Sequence, residues 1–592
     1  MKRALLALAV LFLPLLCLAQ NTKRVETLSI DQIHTGMKGV AYTVFEGTRP
    51  EPMDVEVLGI LRNANGPKGD VILVRLGGSK AEYTGVVAGM SGSPVYIDGK
   101  LAGAVAFRIG EFSKEPIAGV TPIAEMMEIS ALDHTPEPTP LEIKPVAGAT
   151  AGKVAAPNSD QTPLAGFANY LRPIETPLVF SGFDEDVVKR FAPEFASAGI
   201  VPVMGVGSVS DAKQPEPLEP GSAVSAVLVR GDMNIAATCT VTYSDSDELL
   251  ACGHPLMQFG MINLPMTKAQ VLATVPSPYN SFKIVNATEP VGAFVQDRHN
   301  GILGEFGKQP KMIPVTLTIH GNSGDKAFHY EVLNHARLSP VAMAATVYNA
   351  LHGLNEYGED TTYHMNGAIH VEGYPDVALH DVFASIDGNQ PGAMLAAISL
   401  GDRFARIYDN PYSMAGIQGV NLEFDLQRDR RWARMESART DVTEARPGDE
   451  IVIETMLRPY RGDGLVERVP IHIPTSTSKG TLRILVSDGD TLDRLRYTTA
   501  AARKLDLAAT IAFLNKEHDN NRVYVSLLEA DPQAVIADKV MPALPLSVMN
   551  VMDGMRGTQD MVISNESSVN EATTGPLDYV VAGAQVLTIT IK

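Results

Sequence analysis

Glycine and proline interrupt this chain at such short intervals that long helices cannot make up its body. Among 592 residues there are 50 glycines and 39 prolines but only 6% aromatics, the texture of short strands joined by turns. Between residues 26 and 130 the runs KGVAYTVFEG, MDVEVLGIL, DVILVRL and GSPVYIDGKLAGAVAF alternate with glycine turns. Asp98-Gly99, between two apolar runs, is the pair that a tight hairpin favours. Residues 131–165 are rich in Pro and Ala without periodicity and read as a linker. Strand pattern resumes over 166–335, broken by helical spacing at 184–195. Residues 336–418 form a mixed connecting region. Helices are expected there at 339–354, with Ser339 as cap and Pro340 in the first turn, and at 392–407. From 419 to 592 the pattern is β-sandwich-like, interrupted by a helix at 505–516.

The first residues carry a different signal. Met1-Lys2-Arg3 is basic, Ala4 to Leu18 is apolar, and Cys17-Leu18-Ala19 offers a small-residue cleavage site, which together predict a secretory signal peptide over 1–19. Leu16 directly before Cys17 makes a poor lipidation site. No later run is apolar and long enough to span a membrane as a helix, so the mature chain is expected to be periplasmic or extracellular. A net charge of -19 excludes the clustered basic surface that nucleic acid or anionic lipid requires. Cys239 and Cys252 flank a polar turn. If Asp245 and Ser246 are its centre they face each other across a hairpin, where an oxidising compartment would link them; two buried free thiols are the alternative.

The segment GMSGSP, Gly89 to Pro94, is the most suggestive chemically. A serine between glycines can sit on a tight turn with its hydroxyl available. The N–H groups of Gly89 and Ser91 could then converge on an oxyanion. The pattern is similar to the nucleophile loop of chymotrypsin-like peptidases, with Ser91 at the nucleophile position and Ser93 where those enzymes carry glycine. Read without that likeness, the same six residues could be an ordinary Gly/Ser turn. A serine needs a base, and His254 in Gly253-His254-Pro255 sits in a fixed loop rather than a core run. Asp297 is the candidate acid that would hold the imidazole, with Asp70 and Glu82 as rivals. No His or Cys spacing suits a metal, and no cofactor is expected.

The stretches TGMKGVAYTVFEGTRPEPMDVEVLGIL, TGVVAGMSGSPVYIDGKLAGAVAF and PIAGVTPIAEM closely resemble the serine half of SpoIVB peptidases. ATCTVTYSDSDELLACGHPL and VGAFVQDRHNGILGEFG resemble the histidine half. The likeness spans roughly 26–130 and 215–310. It implies a mainly β chain: a chymotrypsin-like double β-barrel with inserted helices, ahead of the β-sandwich-like C-terminal domain. It also implies endopeptidase activity on protein or peptide substrates, with Ser91 and His254 at the family's motif positions.

Three features depart from the family. Here the serine segment precedes the histidine segment, whereas in the sporulation enzymes it follows. The family's acid lies shortly before its serine loop, yet VRLGGSKAEYTG has no Asp, which leaves the role to Asp297. No PDZ module is visible. Met90, where chymotrypsin-like zymogens carry an activating Asp, cannot pair with a newly cut N-terminus. Two function classes follow: a secreted serine endopeptidase, or a non-catalytic cell-envelope binding protein that retains the barrel, its C-terminal domain docking an envelope partner.

Overall fold

The computed structural model describes residues 25–110, 115–132, 171–197, 201–204, 213–277, 281–321, 324–355, 358, 360–386, 390–410, 412, 415–500, 505–536, 539–541, 545–553 and 561–592. The expected signal segment and all but the start of the expected linker lie outside these residues. Strands make up 50% of the chain and helices 18%, so the mainly β expectation holds.

Six strands close the first barrel. Lys38–Thr43, Glu51–Leu61, Val71–Gly77, Ile117–Pro122, Lys100–Ile109 and Pro94–Ile97 pair in that order, and the last returns to the first. Period-two burial drives the closure: Met53, Val55 and Val57 point inward from one strand and meet Val74, Ala118 and Val120 from its neighbours. Asp98 and Gly99 take φ of 50° and 78°, the paired left-handed centres of a two-residue hairpin.

A second barrel closes in the same way through Ala223–Gly231, Gly260–Val275, Phe282–Arg298, Gly301–Phe306, Glu248–Ala251 and Asn234–Ser244. Its sheet continues outward through Lys326–Leu333, Met312–His320, Ile417–Arg428, Thr361–Val371 and Val377–Phe383. Helices Leu338–Gly353 and Gly392–Tyr408 share the apolar core of this extension. The first of them is not capped by Ser339. Its cap is Arg337, and Ser339 lies inside, where its hydroxyl donates to the Leu333 carbonyl at 2.6 Å.

Ile417–Arg428 pairs with the second barrel's sheet, so the C-terminal sheets begin at Trp432 rather than near 419. They are a four-stranded sheet (Leu465–His472, Glu450–Pro459, Trp432–Arg439, Val580–Ala582) and a six-stranded one, packed over Ile453, Leu457, Ile484, Val525 and Ile589. Helix Gly489–Ala500 and strand Met561–Thr573 had no clear sequence signal. Among the described residues, no helix is long and apolar enough to cross a membrane.

Candidate active site

The serine loop leads into strand Pro94–Ile97 and is lashed to the other barrel. Thr240 donates its N–H to the Ser91 carbonyl at 2.8 Å and its hydroxyl to the Gly89 carbonyl at 3.1 Å. The Thr242 hydroxyl donates to the Gly92 carbonyl at 2.8 Å. Within the loop, Ser93 gives both N–H and hydroxyl to the Met90 carbonyl, at 3.0 and 2.6 Å, which occupies the second serine structurally. Gly92 could be no other residue. Its φ is +95°, and a Cβ there would lie 1.9 Å from the Thr240 carbonyl oxygen. Met90 is buried in the first barrel's core, so an apolar contact stands where zymogens carry a charge.

With the loop's carbonyls turned to the second barrel, two of its amides are left over. Met90, Gly92 and Ser93 donate to backbone carbonyls, whereas the N–H groups of Gly89 and Ser91 donate to nothing among the described residues. The Ser91 hydroxyl is likewise buried without a partner. An unpartnered hydroxyl and two free amide donors therefore belong to one loop.

His254 follows strand Glu248–Ala251 through a strained corner. Cys252 and Gly253 both take left-handed φ, 67° and 70°. A disulfide joins Cys252 to Cys239, with Cα atoms 5.3 Å apart. The hairpin register differs from simple pairing about Asp245-Ser246, because a bulge at Val241 to Tyr243 shifts the strands and Val241 faces Ala251. The Cys252 N–H donates to the Thr240 carbonyl, and the Thr121 hydroxyl to the Gly253 carbonyl. Thr240 thus touches both loops.

The imidazole places Nδ1 2.7 Å from the Pro255 carbonyl. A carbonyl can only accept, so Nδ1 carries the proton and Nε2 of the neutral ring is left with its lone pair. Nε2 is buried with no hydrogen-bond partner among the described residues, Ser91 included. Burial pushes the His254 pKa below its ordinary value; the carbonyls of Pro255 and Ile174 oppose this less strongly.

None of the candidate acids holds the ring. Asp297 is buried, and its carboxylate accepts from the N–H groups of Leu256 and Met257, both at 2.7 Å, and of Phe259 at 3.4 Å. It shapes the backbone that follows His254 rather than the imidazole. Burial raises its pKa against the pull of these donors. Asp70 pairs with Arg62 at 2.6 Å, and Glu82 accepts from Gly78 N–H at 3.2 Å, both beyond the imidazole's partners. The Pro255 carbonyl fixes the tautomer that a triad aspartate would fix, without the negative charge that stabilises an imidazolium.

Sequence reasoning missed Thr240, Thr242 and Lys283. Lys283 is fully buried beside the serine loop; its N–H donates to the Ala88 carbonyl and its stem packs under Gly89. Its Nζ donates to the Thr43 hydroxyl at 2.7 Å, and burial lowers its pKa to about 7. A cavity of about 700 Å³ opens behind the histidine loop, lined by Gln258, Phe259, Asp297, Arg298 and Arg337 among others. Neither Ser91 nor His254 lines it, so it is not the room for a scissile bond.

Comparison with protein families bears on the barrel that carries the serine loop. Residues 17–127 match the family described as SpoIVB peptidase S55, the family that the motifs around Ser91 resemble. The match covers the serine barrel and stops before the histidine barrel. Searches of curated proteins and of solved structures return no match.

Proposed function

We propose that this chain is an exported serine endopeptidase in which Ser91 is the nucleophile and His254 its base. The observation that carries the reading is a coincidence of unmet hydrogen bonds. Among the described residues the Ser91 hydroxyl, the Gly89 and Ser91 amides and His254 Nε2 make no hydrogen bond, the Ile174 carbonyl acting on the ring only as a weaker influence, on two loops braced by one residue, Thr240. Buried polar groups are ordinarily satisfied, and leaving several orphaned on two adjoining loops is costly unless a ligand meets them.

A peptide carbonyl would meet them. His254 Nε2 accepts the Ser91 proton as the oxygen attacks, and the oxyanion takes the two amides. The imidazolium then protonates the leaving amine, giving an acyl-enzyme that water hydrolyses. Export rests on the basic, apolar and small-residue order of the first nineteen residues. The test is to expose the purified full chain to a fluorophosphonate and map the adduct by mass spectrometry. The adduct is expected on Ser91. A chain that never labels would favour the binding-protein reading.

A further inference from the structure

Ser91 is 0% exposed and His254 only 3%, so a peptide cannot reach either while the surrounding chain stays in place. Around His254, part of that surrounding chain is residues 171–176, which cross from one barrel to the other. Leu171–Pro173 adds as a strand to the edge of Lys100–Ile109, pairing Leu171 with Ile109, Arg172 with Arg108 and Pro173 with Phe107. The Ile174 N–H continues the ladder to the Ala106 carbonyl at 2.8 Å. An ordinary connector runs over the surface. Here Ile174 is 1% exposed within the serine barrel's core, and its carbonyl acts on the His254 ring. Glu175 forms an ion pair with Arg108 that leaves their side chains 21% and 12% exposed.

We propose that residues 171–176 are an internal strap that occupies a peptide-binding edge of the serine barrel and closes the site over Ser91 and His254. This rests on the peptidase reading and adds its regulation and ligand class. An extended peptide binds a sheet edge by extending its ladder, with pockets reading alternate side chains. The strap is such a peptide in register, so its own side chains describe the ligand that displaces it: an extended segment with an aliphatic residue in the Ile174 pocket, followed by an acidic residue for Arg108. A strand of three residues carries few ladder bonds and belongs to the part of a fold that opens most readily.

The test compares full-length wild type with Ile174→Ala and Glu175→Gln, three reporters being read on each. These are amide hydrogen exchange at 171–174, modification of His254 by diethyl pyrocarbonate, and fluorophosphonate labelling of Ser91. Both variants should speed exchange and His254 modification by about tenfold, with Glu175→Gln the gentler change to the fold. Ser91 labelling should rise in step. A synthetic peptide of sequence LRPIET added to Ile174→Ala should restore protection of His254, and the same peptide with lysine in place of the glutamate should not. If exchange quickens but His254 stays as protected as in wild type, or if neither variant exchanges faster, the strap is only a connector and the proposal falls. If His254 opens while Ser91 never labels, the strap stands and the peptidase reading fails.

Discussion

The serine loop and the histidine loop meet at Thr240 and both are tied to the other barrel, yet what gives each its shape differs. The serine loop is shaped locally. Gly89 and Gly92 take φ of +93° and +95°, and Ser93 ties back to Met90 three residues earlier. The histidine loop is shaped from afar: Cys239 pins its start, Asp297 its end, and the Thr121 hydroxyl of the other barrel donates to the Gly253 carbonyl. A loop of the first kind announces itself in six residues. One of the second kind depends on partners that only the fold brings near.

This contrast can be broken first at Gly92. Gly92→Ala drives a Cβ into the Thr240 carbonyl and Cys252 N–H at a positive φ, and should cost on the order of 3–5 kcal/mol and abolish labelling of Ser91. Denaturant unfolding would measure it; an alanine tolerated there would mean that the two loops are not in contact.

Asp297 comes next. Asp297→Ala leaves the buried N–H of Leu256 and the part-buried ones of Met257 and Phe259 without an acceptor, for about 3 kcal/mol. It should lower kcat by roughly tenfold or more through a misplaced His254. Asp297→Asn, which keeps an acceptor, should recover part of both losses. An acid acting on the ring itself would give no such rescue.

Removing the disulfide with Cys239→Ala and Cys252→Ala together should be milder, about 2–3 kcal/mol for so short a loop. The loss should fall on the histidine loop, seen as faster amide exchange at 252–257 and not at 89–93.

The last effect is spread over several pH units and belongs to Lys283, which sits under the serine loop. Its folded pKa of about 7 lies below the ordinary lysine value, so between the two the unfolded chain holds a proton that the folded chain has released. Folding stability should therefore rise with pH above about 7, with a slope of at most about 1.4 kcal/mol per pH unit, and level off near the ordinary lysine pKa. Lys283→Met should flatten that segment of the profile.

What the sequence disclosed follows the same division. Short alternating runs and Asp98-Gly99 made the serine barrel legible, because strand period and turn chemistry are local. Gly89, Ser91 and Gly92 were legible for the same reason. The ring's true partner was not. Pro255 offers a backbone carbonyl, which no residue type encodes, and the carboxylate that looked like its acid serves three amides instead. Lys283 stands in an alternating strand where a lysine ordinarily faces water, so its burial appears only once strand Phe282–Arg298 lies against Ala88. The helix at 338–353 was visible by its apolar run, but Ser339 was misplaced as its cap because a hydroxyl bonding back to Leu333 leaves no mark in the sequence.

The most direct measurement sets Ser91→Ala against Ser93→Ala in purified, folded protein, with peptide cleavage as the readout. Ser91→Ala is expected to abolish cleavage if, as proposed, the partnerless hydroxyl on the loop with the free Gly89 and Ser91 amides is the attacking group. Ser93→Ala should cleave with only a modest loss, since its hydroxyl is spent on the Met90 carbonyl. Normal cleavage by Ser91→Ala, or its loss only in Ser93→Ala, would contradict the account.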